Sequence, residues 1–305
     1  SSKSASVNEV IFIVVSQLKK TLLIGEIMTS QNQNQASFKD SDIISCFDAP
    51  HYAKLAVDNR EAYKNNDPYP HMVFDNFLPP DIATAIASEY PSLETMNSNW
   101  KFHDNQNVRR HFVEDTSEFS PRFKQFAAAI TSRSFLLFLE TLTGIPALLS
   151  DPYFMGGGAM VTGNGGFLNV HADFNWHQKL QSWRRCNALF YLTPDWDEKW
   201  GGNLELWTTD GKEKVKEVPP LFNRMVVFTT TSSSYHGQPV PISGPPDTYR
   251  RVFSAFYYAS AKQDGIDDHP HFTKYNANNN DVVAEKETSP YAELITNNYI
   301  KKGSY

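Results

Sequence analysis

The chain has 305 residues, a net charge of −6 and a 13% aromatic share that includes 21 Phe, 14 Tyr and 6 Trp. That length can bury a sizeable core in one large domain or two small ones, and the acidic balance lacks the basic surplus that nucleic-acid or anionic-membrane partners require. Only two cysteines occur, Cys46 and Cys186, in unrelated contexts, which excludes a disulfide framework or a cysteine zinc site and points to a reducing compartment.

Near the start, the apolar run Val10 to Val15 is far shorter than a membrane span. Its Lys19-Lys20 follow the run, the wrong order for a secretory signal, so the expected location is cytoplasmic. Residues 1 to 27 read as an upstream extension or a peripheral helix, with Met28 as the candidate natural start. From Thr29 to about Ser41 the chain is polar and Gln/Asn-rich, too poor in apolar surface to order itself. Residues 1–45 are therefore expected to be an arm, residues 46–261 the domain, and residues 262–305 a tail with a short helix near Ser289-Pro290.

"HMVFDNFLPPDIATAIASEY" predicts a short strand, a Pro-Pro stop and a helix, with Pro80 and Asp81 in its first turn and Ile82, Ile86 and Tyr90 on one face. A second helical region is predicted over Ser120 to Thr143, with apolar faces from Phe123, Phe126, Ile130, Phe138 and Leu142, ended by Gly144 and Pro146. After Pro152 the texture changes to short apolar runs, "AMV", "GFLNV", "CNALFYL", "NLELW", "RMVVF" and "RVFSAFYYA". Glycine-rich turns separate them at 163–166, 201–202 and 244–246. Such punctuation predicts an antiparallel barrel or jelly roll over about residues 150–260, an α+β and mainly β architecture with supporting N-terminal helices.

Within "VHADFN", His171 and Asp173 are two apart, so on a strand they project from one face while Ala172 points away. His236, in "SSSYHGQP" just after a strand, can supply a third ligand. Two imidazoles and one carboxylate make the facial triad of non-haem Fe(II) oxygenases, which leaves three coordination positions open. A lone His-x-Asp pair is also common in strands that bind nothing. Four further features add weight. Arg250 and Arg251 follow His236 where a dicarboxylate such as 2-oxoglutarate needs a guanidinium partner. Arg250 is preferred because its face carries Val252, Ser254 and Phe256, with small residues nearest it, whereas Arg251 shares a face with Phe253, Ala255 and Tyr257 that looks like packing. Asn187, Leu189 and Tyr191 share one strand face, where Tyr191 can donate to a carboxylate, Leu189 can flank the cosubstrate and Asn187 can bond a carbonyl or water; generic core is a near-equal reading of Leu189. Gly201-Gly202 feed the alternating strand "NLELW", and a Gly-rich turn leads into the ligand strand.

The segments "GGFLNVHADFNWH", "RRCNALFYLTPDWDEKWGGNLELW", "LFNRMVVFTTTSSSYHGQPVP" and "RRVFSAFYY", in that order, resemble the 2-oxoglutarate and Fe(II)-dependent dioxygenase superfamily in its prolyl-hydroxylase-like branch. The resemblance spans roughly residues 150 to 260. It implies a double-stranded β-helix, the cupin-like jelly-roll barrel, with His171, Asp173 and His236 as iron ligands. It also implies Arg250 as the salt bridge to 2-oxoglutarate, Tyr191 as its hydrogen-bond partner, O2 as the oxidant and ascorbate in a supporting role. Val252 stands where that branch usually has a small polar residue, and Asn187 where threonine is frequent. The retained aspartate disfavours a halogenase.

The resemblance further implies oxidation of an unactivated C–H bond. A small amino-acid-derived substrate, proline-like or glutamate-derived, is preferred over a protein or peptide prolyl substrate, with hydroxylation or a kainoid-synthase-like oxidative cyclisation as the outcome. A non-catalytic binding barrel is the third reading. Candidate substrate contacts are Asn175, Trp176 and His177 after the ligand pair, and Arg109 and Arg110 with His111 in the helical half. An exposed charge pair and packed tryptophans are the ordinary alternatives for these residues.

Overall fold

A computed structural model describes residues 39–261 and 269–276. The expectations for the extension, for Met28 and for a helix near Ser289 lie outside the described residues. A compact unit begins at Asp40, and Ile43, Cys46 and Phe47 are buried in it.

In chain order the elements are α1 (Pro50–Asn65), β1 (His71–Phe74), α2 (Pro80–Ala87), β2 (Lys101–Asp104), β3 (Arg109–Val113), α3 (Pro121–Ile130), α4 (Arg133–Thr143), β4 (Leu149–Ser150), β5 (Gly158–Thr162), β6 (Leu168–Ala172), β7 (Trp176–His177), β8 (Ser182–Tyr191), β9 (Leu204–Trp207), β10 (Lys214–Val218), β11 (Arg224–Thr229), β12 (His236–Gln238), β13 (Arg250–Ala259) and β14 (Lys274–Tyr275). They form two antiparallel sheets. The larger runs β1-β11-β8-β13-β5-β3-β2, with β4 beside β13 and β7 beside β8, and the smaller runs β10-β9-β12-β6-β14. This is the antiparallel jelly roll that the punctuation of the second half predicts, the double-stranded β-helix that the resemblance implies. Its inner core joins Tyr191, Val226, Phe228 and Val252 of the larger sheet to Leu204, Leu206 and Val218 of the smaller.

Alternation along β13 and β8 decides what lies on each side. Phe190, Phe253 and Tyr257 turn outward onto the helices. Phe126 of α3 meets Phe190 at 5.0 Å and Phe253 at 5.1 Å between ring centroids, and the Tyr257 hydroxyl donates to the Ile130 carbonyl at 2.9 Å. The predicted helical region at 120–143 is two helices. Ser132 interrupts it by accepting a hydrogen bond from the Phe135 N–H, acting as a new N-cap, and the axis turns by 47°. Among the described residues no single helix is long and apolar enough to cross a membrane. Gly144, at φ 73°, ends α4 in the left-handed conformation that glycine adopts without strain.

Two stretches differ from the sequence reading. Helix α1 goes unannounced because its surroundings are polar and only Tyr52, Ala56 and Tyr63 are buried; Pro50 in its first turn is the available signal. Arg109, Arg110 and His111 are not helical but form β3, which pairs with β2 and extends the larger sheet through β5.

Candidate metal centre and cavity

His171 lies near the end of β6 and His236 opens β12, directly opposite each other across the antiparallel pair. The turn after β6 brings Asp173 back to them. One donor atom from each of His171, Asp173 and His236 falls within 4.8 Å of the others. His171 Nε2 is 3.4 Å from Asp173 Oδ1, and His236 Nε2 is 3.4 Å from Asp173 Oδ2. Gly237 permits this approach: a Cβ there would lie 2.9 Å from the backbone of Leu168 and Val170 on β6.

Each imidazole is held by its other nitrogen. His171 Nδ1 is 2.7 Å from the Asn169 carbonyl and His236 Nδ1 is 2.8 Å from the Ser234 carbonyl. A carbonyl only accepts, so both Nδ1 atoms carry the proton and both Nε2 lone pairs face inward, the tautomer a metal requires. Burial, assisted by the neighbouring His171, pushes the His236 imidazole down to about 4 against the pull of Asp173. Burial would raise the Asp173 carboxyl, but Arg184, His236 and His171 outweigh it and hold it well below the usual range.

A pH dependence follows for the metal-free protein. An unfolded histidine takes up its proton near 6.5, while folded His236 stays neutral to about 4. Between those values the unfolded state binds the extra proton, so stability falls as pH falls. The drop should be roughly 3 kcal/mol across the window, read by urea unfolding, with a flatter profile in His236→Gln.

Asp173 has a strong support that the sequence reading does not name. Arg184 Nη2 lies 2.8 Å from Asp173 Oδ2 as an ion pair, without a well-aligned hydrogen bond. Arg184 Nε donates to Asn187 Oδ1, and Asn187 Nδ2 donates to Asp173 Oδ2, both at 2.9 Å. The guanidinium is 2% exposed and sits between Phe256 and Phe174, at 3.5 and 4.5 Å from their ring centroids. A register shift between β13 and β8 puts it there. Tyr257 pairs with Cys186 but Tyr258 with Arg184, so the one-residue bulge turns Arg184 to the face of Asn187 and Leu189.

The donor set borders a cavity of about 250 Å³, walled by both sheets and by residues of the β2–β3 hairpin and β14. Asn187, Leu189 and Arg250 line it, with Val252, Ser254 and Phe256; Arg251 does not. Arg250 Nη2 is 3.3 Å from the Tyr191 hydroxyl, its Cζ is 5.0 Å from that ring's centroid, and its buried Nε has no hydrogen-bond partner among the described residues. Gly202, at φ 68°, packs on the stem: a Cβ there would lie 3.2 Å from Arg250 Cδ.

Of the candidate substrate contacts, Arg110 lines the cavity and the other five do not. Arg109 is exposed and reaches Asp104 at 3.9 Å. Asn175 clamps the chain at 269–271, accepting from the His271 N–H at 2.8 Å and donating to the His269 carbonyl at 3.2 Å. Trp176 packs edge-on against Trp183. His177 is fully buried, 3.2 Å from Asp151 and edge-on to Tyr258. The end of β6 explains the miss: beyond it the chain leaves the barrel wall and returns as the short β7–β8 hairpin. His177→Ala should therefore lower unfolding free energy by roughly 2–4 kcal/mol, because it leaves a cavity and strands the Leu180 N–H that donates to His177 Nδ1 at 3.1 Å. Denaturant titration would show this, with metal binding per folded molecule unchanged.

The profile of the 2OG-Fe(II) oxygenase superfamily matches residues 157–259. Prolyl 3-hydroxylase OGFOD1 of Mus musculus is 26% identical over 197 residues, covering 63% of this chain and 33% of the relative, so the chain spans about a third of that curated protein's length. Among solved structures, a Pseudomonas putida prolyl-4-hydroxylase is 17% identical with a TM-score of 0.47, covering 67% of this chain and 98% of its own. A Trichoplax adhaerens prolyl hydroxylase, solved with a hypoxia inducible factor oxygen degradation domain peptide fragment, is 17% identical with a TM-score of 0.46, covering 68% of this chain and 90% of its own. The cofactors of this superfamily are Fe(II), 2-oxoglutarate and O2, and a donor set of two neutral imidazoles and one carboxylate suits that metal. The profile runs from the start of the barrel to the end of β13, so the barrel of this chain carries the pattern of the 2OG-Fe(II) oxygenase superfamily.

Proposed function

We propose that the chain oxidises an unactivated C–H bond of a small amino-acid-derived substrate, proline-like or glutamate-derived, by hydroxylation or oxidative cyclisation. The observation that carries this reading is the convergence of the His171, Asp173 and His236 donor atoms within 4.8 Å at the wall of a cavity of about 250 Å³. In this reading His171 Nε2, Asp173 and His236 Nε2 hold Fe(II). When bound, Fe(II) with 2-oxoglutarate and O2 supplies the oxidising power for C–H cleavage, 2-oxoglutarate leaving as succinate and CO2.

The chain's own residues do the placing. Asn187 and Arg184 fix Asp173 Oδ2, which limits how the carboxylate can turn, and the carbonyls of Asn169 and Ser234 fix both rings. Arg250 and Tyr191 receive the remote carboxylate of the cosubstrate, where low dielectric strengthens a charge-assisted hydrogen bond. Leu189 and Val252 flank its carbons and keep water from that end. A compact cavity lined by basic groups favours a metabolite over a protein substrate. Buried, unpaired Cys46 and Cys186, each pushed up to about 12 by burial, suit a cytoplasmic location.

The test is succinate formation under air with Fe(II), 2-oxoglutarate and a panel of proline, glutamate-derived and prolyl-peptide candidates, with product masses read alongside. A product heavier by one oxygen means hydroxylation, and loss of two hydrogens means cyclisation or desaturation. Coupling only to a prolyl peptide would replace the small-molecule reading with a protein one, and absence of succinate would leave a binding barrel.

A further inference from the structure

Among the described residues, the charged side chains that line the cavity are three guanidinium groups, Arg110, Arg184 and Arg250, and one carboxylate, Asp173. Arg184 and Asp173 neutralise each other at 2.8 Å. Under the proposed function, a divalent metal and a doubly charged cosubstrate also cancel, which leaves two positive charges on half-buried side chains at the cavity wall. An uncompensated guanidinium in such a place is costly unless a ligand brings the counter-charge.

Arg110 is the group with no assigned partner. The register that pairs His111 with Val161 carries Arg110 alongside Thr162, and Thr162 pairs with Arg250. Arg110, Thr162 and Arg250 therefore form one row across β3, β5 and β13, facing the cavity, with the arginine backbones about 10 Å apart at two strand spacings. Arg110 Nε is buried and has no hydrogen-bond partner among the described residues. Its neighbour Arg109 faces the other way, toward Asp104. If Arg250 takes the remote carboxylate of the cosubstrate, it is occupied, while Arg110 stands two strands away with its Nε unpaired among the described residues.

We propose that Arg110 is the specificity-determining residue of this site and that it binds a carboxylate of the substrate, which is an amino dicarboxylic acid or a similarly multiply anionic small molecule. The inference rests on the oxygenase reading above. A neutral prolyl peptide brings nothing to Arg110 and leaves both surplus charges uncompensated.

The experiment is calorimetric binding to the full chain loaded with Ni(II), a redox-inert substitute, without O2. 2-Oxoglutarate is titrated first, and then a series of N-alkylated amino dicarboxylic acids, their diamides and a blocked prolyl peptide. The expected result is that a dicarboxylic acid binds to the 2-oxoglutarate complex at least tenfold more tightly than its diamide. Arg110→Gln should weaken it roughly tenfold to a hundredfold while 2-oxoglutarate still binds, and Arg110→Lys should recover part of the loss. Failure of 2-oxoglutarate to bind would overturn the oxygenase reading and the inference with it. If 2-oxoglutarate binds, the Arg110 assignment alone is overturned by any of three results: no dicarboxylic acid in the series binds, the diamide or peptide binds more tightly, or Arg110→Gln binds the dicarboxylic acid like the parent.

Discussion

An Asp173→Ala variant is expected to lose Fe(II)-dependent succinate formation to below detection and, separately, to lose stability. The first loss follows from the donor set: two imidazoles alone give a weaker and geometrically looser metal site than two imidazoles and a carboxylate. The second follows from Arg184, whose guanidinium is 2% exposed and has its charge partner in Asp173. Removing one partner of a buried pair strands the other, a cost of roughly 3–5 kcal/mol. The two effects separate in the double variant. Arg184→Met in the Asp173→Ala background removes the stranded charge and keeps apolar volume between Phe174 and Phe256, so most of the stability should return while turnover does not. Urea unfolding of the metal-free proteins and succinate assays decide it. Full activity in Asp173→Ala would remove the triad, and unchanged stability would show that the Arg184 pair contributes nothing.

What the sequence discloses of this site follows from strand periodicity. Asn187, Leu189 and Tyr191 alternate, and Arg250 alternates with Val252, Ser254 and Phe256, so period-two reasoning assigns their faces from residue types alone, whereas Asp173 lies just past the end of β6 and reaches His171 through the turn. The reasoning stops where the period breaks. Arg184 falls in step with Cys186 and Phe190 and by alternation faces the helices, yet the bulge opposite Tyr257 and Tyr258 turns it inward onto Asp173. A bulge adds one residue without altering composition, so an apolar strand sequence carries no mark of it. Asn175, Trp176 and His177 are candidates only because they follow the ligand pair in sequence, and β6 ends at Ala172, before them. Helix α1 is not legible because it buries only Tyr52, Ala56 and Tyr63, with the Tyr52 hydroxyl on the Phe77 carbonyl and the Tyr63 hydroxyl on Thr229, and has no continuous apolar stripe. The β2–β3 hairpin shows no apolar alternation at all, because all four residues of β2 are exposed, and Arg110 reaches the cavity through the pairing of β3 with β5.

Arg250→Ala should raise the 2-oxoglutarate concentration needed for half-maximal turnover roughly tenfold to a hundredfold, and Arg251→Ala by less than about threefold. The two are adjacent in sequence and opposite in setting. Arg250 lines the cavity, touches the Tyr191 hydroxyl and rests on Gly202, so its fork is held toward the interior before any ligand arrives. A preorganised bidentate partner loses little entropy on binding a carboxylate, and its removal leaves that carboxylate desolvated and unpaired. Arg251 instead faces Tyr90 and Tyr249, which act on its charge from the other side of β13. Its backbone N–H donates to Thr193 Oγ1 at 2.8 Å, a bond the alanine variant keeps. Its loss should appear as reduced stability in a melt, not as a changed cosubstrate requirement. Arg250→Lys sharpens the comparison: a lysine restores the charge but not the fork, so it should recover only part of the affinity. The reverse ranking of the two alanine variants would move the cosubstrate to the opposite face of β13, and with it the electrostatic count that leaves Arg110 for the substrate.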